Sequence, residues 1–168
     1  MDIDEHDKIW LINYRGVYLC CKEFGRQMVK RKTGSIVNIS STSAINAFPL
    51  HSYGPGKAAI SQLTAILATD LGRHGVRVNA VVPGYVLTEQ MQARIDSGHR
   101  APSAMNDQSA HGRMVSPGEI AEGIHFLCSD AARAITGISM PIDAGWLSSV
   151  TYKQHPGWPP KDWDLDDI

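Results

Sequence analysis

Paired cysteines are missing from this 168-residue sequence, which has three in all, two of them adjacent at Cys20 and Cys21. Such a set supplies neither a disulfide framework nor metal-ligand spacing, and it points to a reducing, cytoplasmic setting. A charge excess is missing too: 16 basic residues stand against 17 acidic ones, for a formal net charge of -1. That leaves no electrostatic footprint for nucleic acid or for an anionic membrane surface. Apolar runs long enough to span a bilayer are absent, and the opening MDIDEHDK is charged rather than a signal-type apolar stretch. A chain neither exported nor membrane-bound is expected. The seven histidines show no ligand spacing, so no metal site is expected, and there are no internal repeats or low-complexity tracts. What is present is the length and the 43% hydrophobic content of one globular domain able to bury most of its surface.

Hydrophobic periodicity divides that domain. Across residues 4–32 one helical stripe carries Trp10, Tyr14, Val17, Cys21, Phe24 and Met28, and a second carries Ile9, Ile12, Gly16, Leu19 and Cys20. A helix with two apolar surfaces needs two partners, a sheet on one side and a helix or subunit on the other. Gly34 is the expected stop. Residues 35–40 (SIVNIS) and 76–82 (VRVNAVV) read as strands covered on both faces. Between them a helix is expected over residues 52–73, with Gly75 as its stop. Residues 88–115 are polar and too long for an idle connection, which suggests a lid or specificity loop. Ser116 and Pro117 then open a third helix, and residues 138–143 form a last strand that Pro141 assigns to an edge. After Trp146 no periodicity remains, so residues 1–146 are expected to form the domain and 147–168 a tail. Alternating helices and strands of this kind define an α/β fold with a parallel sheet.

Tyr53 and Lys57 stand four residues apart, one turn of helix, on a common face. A free tyrosine, with a pKa of about 10, is a poor base at neutral pH, whereas a neighbouring ammonium favours the phenolate. Such a pair can exchange a proton with a hydroxyl or carbonyl. By itself the spacing also fits a tyrosine lying along a lysine on a wet helix face.

The surrounding motifs discriminate. NISS at residues 38–41, YGPGK at 53–57, NAVVPGYVLT at 79–88, INYRGVY around Asn13, and the segment from His111 to Gly145 together resemble the classical short-chain dehydrogenase/reductase family in order and approximate spacing. The resemblance extends to about Trp146. It implies a Rossmann-like doubly wound parallel sheet, here as about three strands and three main helices. It further implies hydride transfer between NAD or NADP and an alcohol or carbonyl substrate, in a protein that is a homodimer or homotetramer when complete. Carried over by position, Ser41 would hydrogen-bond the substrate oxygen and Tyr53 would act as acid/base. Lys57 would hold the nicotinamide ribose and favour the phenolate, and Asn13 would anchor a water relaying protons through Lys57. Ser40 rivals Ser41, because the interval to Tyr53 is one residue shorter than the family's usual one. Pro83 and Gly84 would turn the chain where parallel sheets bind ligands, the backbone at Val86 would meet the nicotinamide carboxamide, and Thr88 would add a hydroxyl. Structural readings stand beside these: a backbone-bonded amide for Asn13, and an ordinary strand-to-helix turn for residues 83–88.

The sequence departs from the family in lacking a glycine-rich phosphate turn of the T-G-x-x-x-G-x-G type and an N-N-A-G stretch. The expectation is an N-terminally truncated family member, from an incomplete gene model or fragment. The alternative is a catalytically silent truncated subunit acting through helix-mediated association with complete ones. Gly54 and Gly56 also weaken the turn carrying Tyr53, by about 1 kcal/mol each relative to alanine.

Overall fold

A computed structural model describes residues 2–156. The first helical run consists of α1 (Ile3–Trp10), a π turn (Leu11–Arg15) and α2 (Gly16–Arg31). It ends at Lys32, which adopts the left-handed conformation (φ 55°) in place of the glycine stop expected at Gly34. Gly34 instead opens β1 (Gly34–Ile39). A short 3-10 turn (Thr42–Ala44) leads to α3 (Tyr53–Gly72), β2 (Val76–Pro83), α4 (Glu89–Asp96) and α5 (Ser103–Asn106). Then follow α6 (Pro117–Cys128), a second 3-10 turn (Asp130–Ala132), β3 (Ser139–Ile142) and α7 (Trp146–Tyr152).

The strands form one parallel sheet in the order β1-β2-β3, with Ile36 opposite Val78 and Val82 opposite Pro141. Pro141 thus lies on an edge strand, where its missing N–H leaves no ladder bond unmade. β2, central and flanked on both sides, carries the most completely buried run, Val78 to Val82. One sheet face is covered by α6, whose Ile120 and Leu127 pack with Val81 and Val115. The other is covered by α2 and α3, where Ala68, Val76 and Val78 meet Met28 and Leu71. Helices on both faces of a parallel sheet make this a Rossmann-like three-layer α/β fold.

Buried polar side chains tie the layers together. Asn38 of β1 donates to Thr64 Oγ1 on α3 (2.9 Å) and accepts from the Cys21 thiol of α2 (3.3 Å). Burial pushes the Cys21 thiol pKa up, as expected for a thiol enclosed among helices. Arg77 donates to the carbonyls of Leu127 (2.6 Å) and Ser129 (3.2 Å), closing the C-terminal end of α6 against the sheet. At its other end α6 has the expected Ser116 cap, completed by Glu119.

The outer edge of β1 pairs with no other strand among the described residues. Beside it runs a groove of about 510 Å³, bounded by α2 and reaching Asn13 and Lys57. Of the two apolar stripes expected on the first helix, the first buries Cys21 but leaves its Phe24 exposed, and Ile12 and Leu19 of the second are exposed as well. The stretch expected as an aperiodic tail after Trp146 begins as helix α7, and Trp146 itself is 4% exposed. The acidic end, residues 157–168, lies outside the described residues.

Candidate active site

The carboxyl ends of β1 and β2 and the amino end of α3 converge on one region. β1 delivers Ser40 and Ser41 just past its last residue, and the chain then turns through the 3-10 segment that packs on the start of α3. A Cβ on Gly54 would sit 3.1 Å from the Ser43 carbonyl oxygen, so the glycine after Tyr53 permits this close approach. Pro55 falls in the first turn of α3, where an N–H would have no helical partner. The weak-looking Gly-Pro-Gly turn therefore fits its place.

The two serines separate clearly. Ser40 is 1% exposed, and its hydroxyl donates to the Lys57 carbonyl (3.0 Å) and shares a hydrogen bond with Ser61 Oγ (2.7 Å). It is consumed in holding β1 to α3. Ser41 caps the 3-10 turn, its Oγ accepting from the Ser43 N–H (3.2 Å), and it lines a cavity of about 320 Å³ together with Tyr53, Gly84 and Tyr85. The Lys57 ammonium donates to the carbonyl of Ile39 (2.8 Å) and stands 5.4 Å from the centroid of the Tyr53 ring. Burial pushes the Lys57 pKa down, because the cation is 8% exposed and has no carboxylate partner among the described residues.

Asn13 lies in the π turn of the first helix. Its amide donates to the Ile9 carbonyl (3.1 Å), the structural bond weighed against a water-anchoring role, and it shares the β1-side groove with Lys57. Beyond β2, the Gly84 N–H donates to the Ile142 carbonyl (3.1 Å), and a Cβ at Gly84 would come within 2.9 Å of Asp143 Cα. The turn at Pro83 and Gly84 is thus pressed against the end of β3. Val86 forms a parallel bridge with Val115, and the Leu87 N–H donates to the Val115 carbonyl (2.8 Å). Thr88 is the N-cap of α4, its Oγ1 accepting from Met91 N–H (3.2 Å) and its own O–H still available to donate. The structure therefore brings Ser41 and Tyr53 into one cavity with Lys57 beside the tyrosine, whereas Val86 and Thr88 line the exit from β2. Among the described residues no group of three or more His, Cys, Asp or Glu could hold a metal ion.

Sequence reading missed Phe48, Tyr85 and Arg100, all of which line the Ser41–Tyr53 cavity. Tyr85 had a signal, since it directly follows the Pro-Gly turn at the sheet's ligand-facing end. Phe48 and Arg100 lie in connections without periodicity and had none.

The architecture is that of a Rossmann-like α/β protein with a Ser-Tyr-Lys cluster at the carboxyl end of its sheet. Residues 1–147 match the family model described as enoyl-(acyl carrier protein) reductase. Galactitol 2-dehydrogenase of Rhizobium johnstonii is 38% identical over 150 residues, covering 85% of this chain and 58% of that protein. Among solved structures, ElxO with NADP bound aligns with a TM-score of 0.85 and 34% identity, over 88% of this chain and 60% of that one. A Brucella melitensis 16M structure named ribose-5-phosphate isomerase aligns with a TM-score of 0.85 and 42% identity, over 90% and 60%. That name denotes an isomerase, whereas the model and the curated relative are a reductase and a dehydrogenase. The chain belongs to the short-chain dehydrogenase/reductase family. It spans about three fifths of the length of these relatives.

Proposed function

We infer that this chain carries the proton-transfer side of an NAD(P)-dependent oxidoreductase acting on an alcohol or carbonyl substrate. The observation that supports it is the shared cavity of Ser41 and Tyr53 with the Lys57 ammonium 5.4 Å from the tyrosine ring. A bound nicotinamide supplies the hydride exchange. The chain's own donors suit that group at its ribose end, since Lys57 uses one N–H on Ile39 and keeps two for ribose hydroxyls. In the oxidative direction Ser41 Oγ donates to the substrate oxygen and holds it against Tyr53. Tyr53 takes the hydroxyl proton as a phenolate, and in reduction it returns the proton as a phenol. Lys57 stands beside that ring, its ammonium 5.4 Å from the ring centroid. Asn13 occupies the β1-side groove with Lys57, where it would hold a relay water. Pro83, Gly84, Val86 and Thr88 would flank the carboxamide. No helix among the described residues is long and apolar enough to cross a membrane.

A second reading is favoured by the unpaired outer edge of β1 and by exposed Ile12, Leu19 and Phe24. In it the chain acts through association, either as a homo-oligomer or as a silent subunit on complete ones. One experiment separates the two. The purified chain, alone and with an added complete family member, is supplied with NADH or NADPH and a panel of ketoses and hydroxy ketones, and loss of reduced-nicotinamide absorbance is followed. Turnover by the chain supports the first reading. Co-elution with the complete subunit in size exclusion, with no turnover by the chain alone, supports the second.

A further inference from the structure

The Ser41–Tyr53 cavity is electrically one-sided. Phe48, Leu50 and Tyr85 make much of its wall apolar, no carboxylate lines it, and Arg100 is the one charged residue that does. Among the described residues no carboxylate forms an ion pair with Arg100; the three recorded pairs all lie elsewhere. Its position is also built. At the end of α4 the Ser97 N–H donates to the Ala93 carbonyl and the Gly98 N–H to that of Ile95, with Gly98 in the left-handed conformation (φ 73°). The Arg100 N–H then folds back onto the Arg94 carbonyl (3.1 Å), and Ser97 Oγ bonds His99 Nδ1 (2.8 Å) across the same turn. This closed turn carries Arg100 to the cavity, where it lines the same space as Ser41 and Tyr53.

We propose that the substrate of this site carries an anionic group, a carboxylate or a phosphate, and that Arg100 selects it. The inference rests on the assignment of Ser41 and Tyr53 to the reacting end of the cavity. A guanidinium presents several coplanar N–H donors that match the oxygens of either anion. Arg100 is exposed and has no carboxylate partner among the described residues, so its guanidinium is free to meet such a group beside the apolar lining. At about 320 Å³ the cavity lies at the small end for ligand sites, which suits a short hydroxylated skeleton with one charged end. A neutral polyol of the same length would leave Arg100 with water only.

The test uses three ligands with one carbon skeleton: ribitol, ribonate and ribitol 5-phosphate. Their dissociation constants are measured by NMR titration of the full chain with NADP present, for the wild type, Arg100→Gln and Arg100→Lys. Ribonate or ribitol 5-phosphate is expected to bind about ten- to hundredfold more tightly than ribitol, the usual range for a charge-assisted hydrogen bond. Which anion is preferred identifies the group. Arg100→Gln should bring all three within about threefold of one another, and Arg100→Lys should restore part of the preference. Equal binding of the three by the wild type, a preference that survives Arg100→Gln, or no binding at all would overturn the proposal. Turnover of the same ligands is read separately: an anion preference lost in Arg100→Gln but accompanied by no turnover would sustain Arg100 and reject the oxidoreductase reading instead.

Discussion

The two walls of the cavity are fixed by different parts of the chain. The reaction wall, Ser41 and Tyr53 with Lys57 behind, is held by neighbours close in sequence, through Ser40 to the Lys57 carbonyl and Lys57 to the Ile39 carbonyl. The other side, where the stretch from α4 to Val115 contributes Arg100 to the cavity, is held by a helix some forty residues further on. Trp146 Nε1 donates to Gln108 Oε1 (3.1 Å), and the Lys153 ammonium donates to the carbonyls of Asp107 (2.8 Å) and Ser109 (2.6 Å). Trp146 also stacks on Phe48 at 5.3 Å and meets Tyr85 edge-on at 6.1 Å, so one indole braces both cavity aromatics. The proposed proton-transfer residues are therefore seated in the sheet and α3, while the stretch carrying Arg100 and the cavity aromatics are braced by α7.

Removing that brace should give the largest effect on stability. Trp146→Ala deletes a buried indole and its ring contacts, and a loss of about 3–5 kcal/mol is expected in denaturant unfolding. A loss below about 1 kcal/mol would mean that α7 does not hold the second wall. The reaction wall is sharpened by its two serines. Ser41→Ala should lower kcat/KM by about 10²-fold, as for loss of one oxyanion-type donor, with little change in unfolding. Ser40→Ala should instead cost about 1 kcal/mol of stability through its buried hydrogen bonds. The reverse pattern would exchange their roles.

The smallest effect belongs to the surface latch at the end of the second wall. Glu119 accepts from both terminal nitrogens of Arg113 (2.6 and 2.9 Å) and from the Ser116 N–H (2.8 Å). Arg113 first, then Ser116, holds its carboxyl down to about 2, against an ordinary 4.5. A depressed carboxylate pKa stabilises the fold above 4.5, and this contribution is lost as pH falls from there through about 2. Glu119→Gln should flatten that acid limb of the stability curve slightly, and less so in high salt, because the pair is exposed. An unchanged acid limb would show that the latch is idle.

The same division governed what the sequence disclosed. The strands were legible because β-branched runs buried on both faces need no partner to be identified, and Tyr53 and Lys57 because four-residue spacing fixes a helical face. Ser116 announced its helix through local capping chemistry. Lys32 was not legible, since a lysine in the left-handed conformation gives no signal of the kind a glycine stop does. Nor was α7: WLSSVTY has no strong periodicity, and its helix is secured by bonds to Gln108, Asp107 and Ser109. Arg100 was hidden because only the folded turn after α4 carries it to the cavity. Asn13 was legible through the INYRGVY resemblance, and the alternative of a backbone-bonded amide matches the bond that its side chain donates to the Ile9 carbonyl.

The central claim, that Tyr53 is the proton-transfer group, is tested most directly by Tyr53→Phe in a preparation that turns over an alcohol or carbonyl substrate. The ring is kept and only the hydroxyl removed, so kcat should fall by about 10²- to 10⁴-fold while NADP(H) affinity changes by less than about threefold. A variant retaining more than about a tenth of the wild-type kcat would contradict the account.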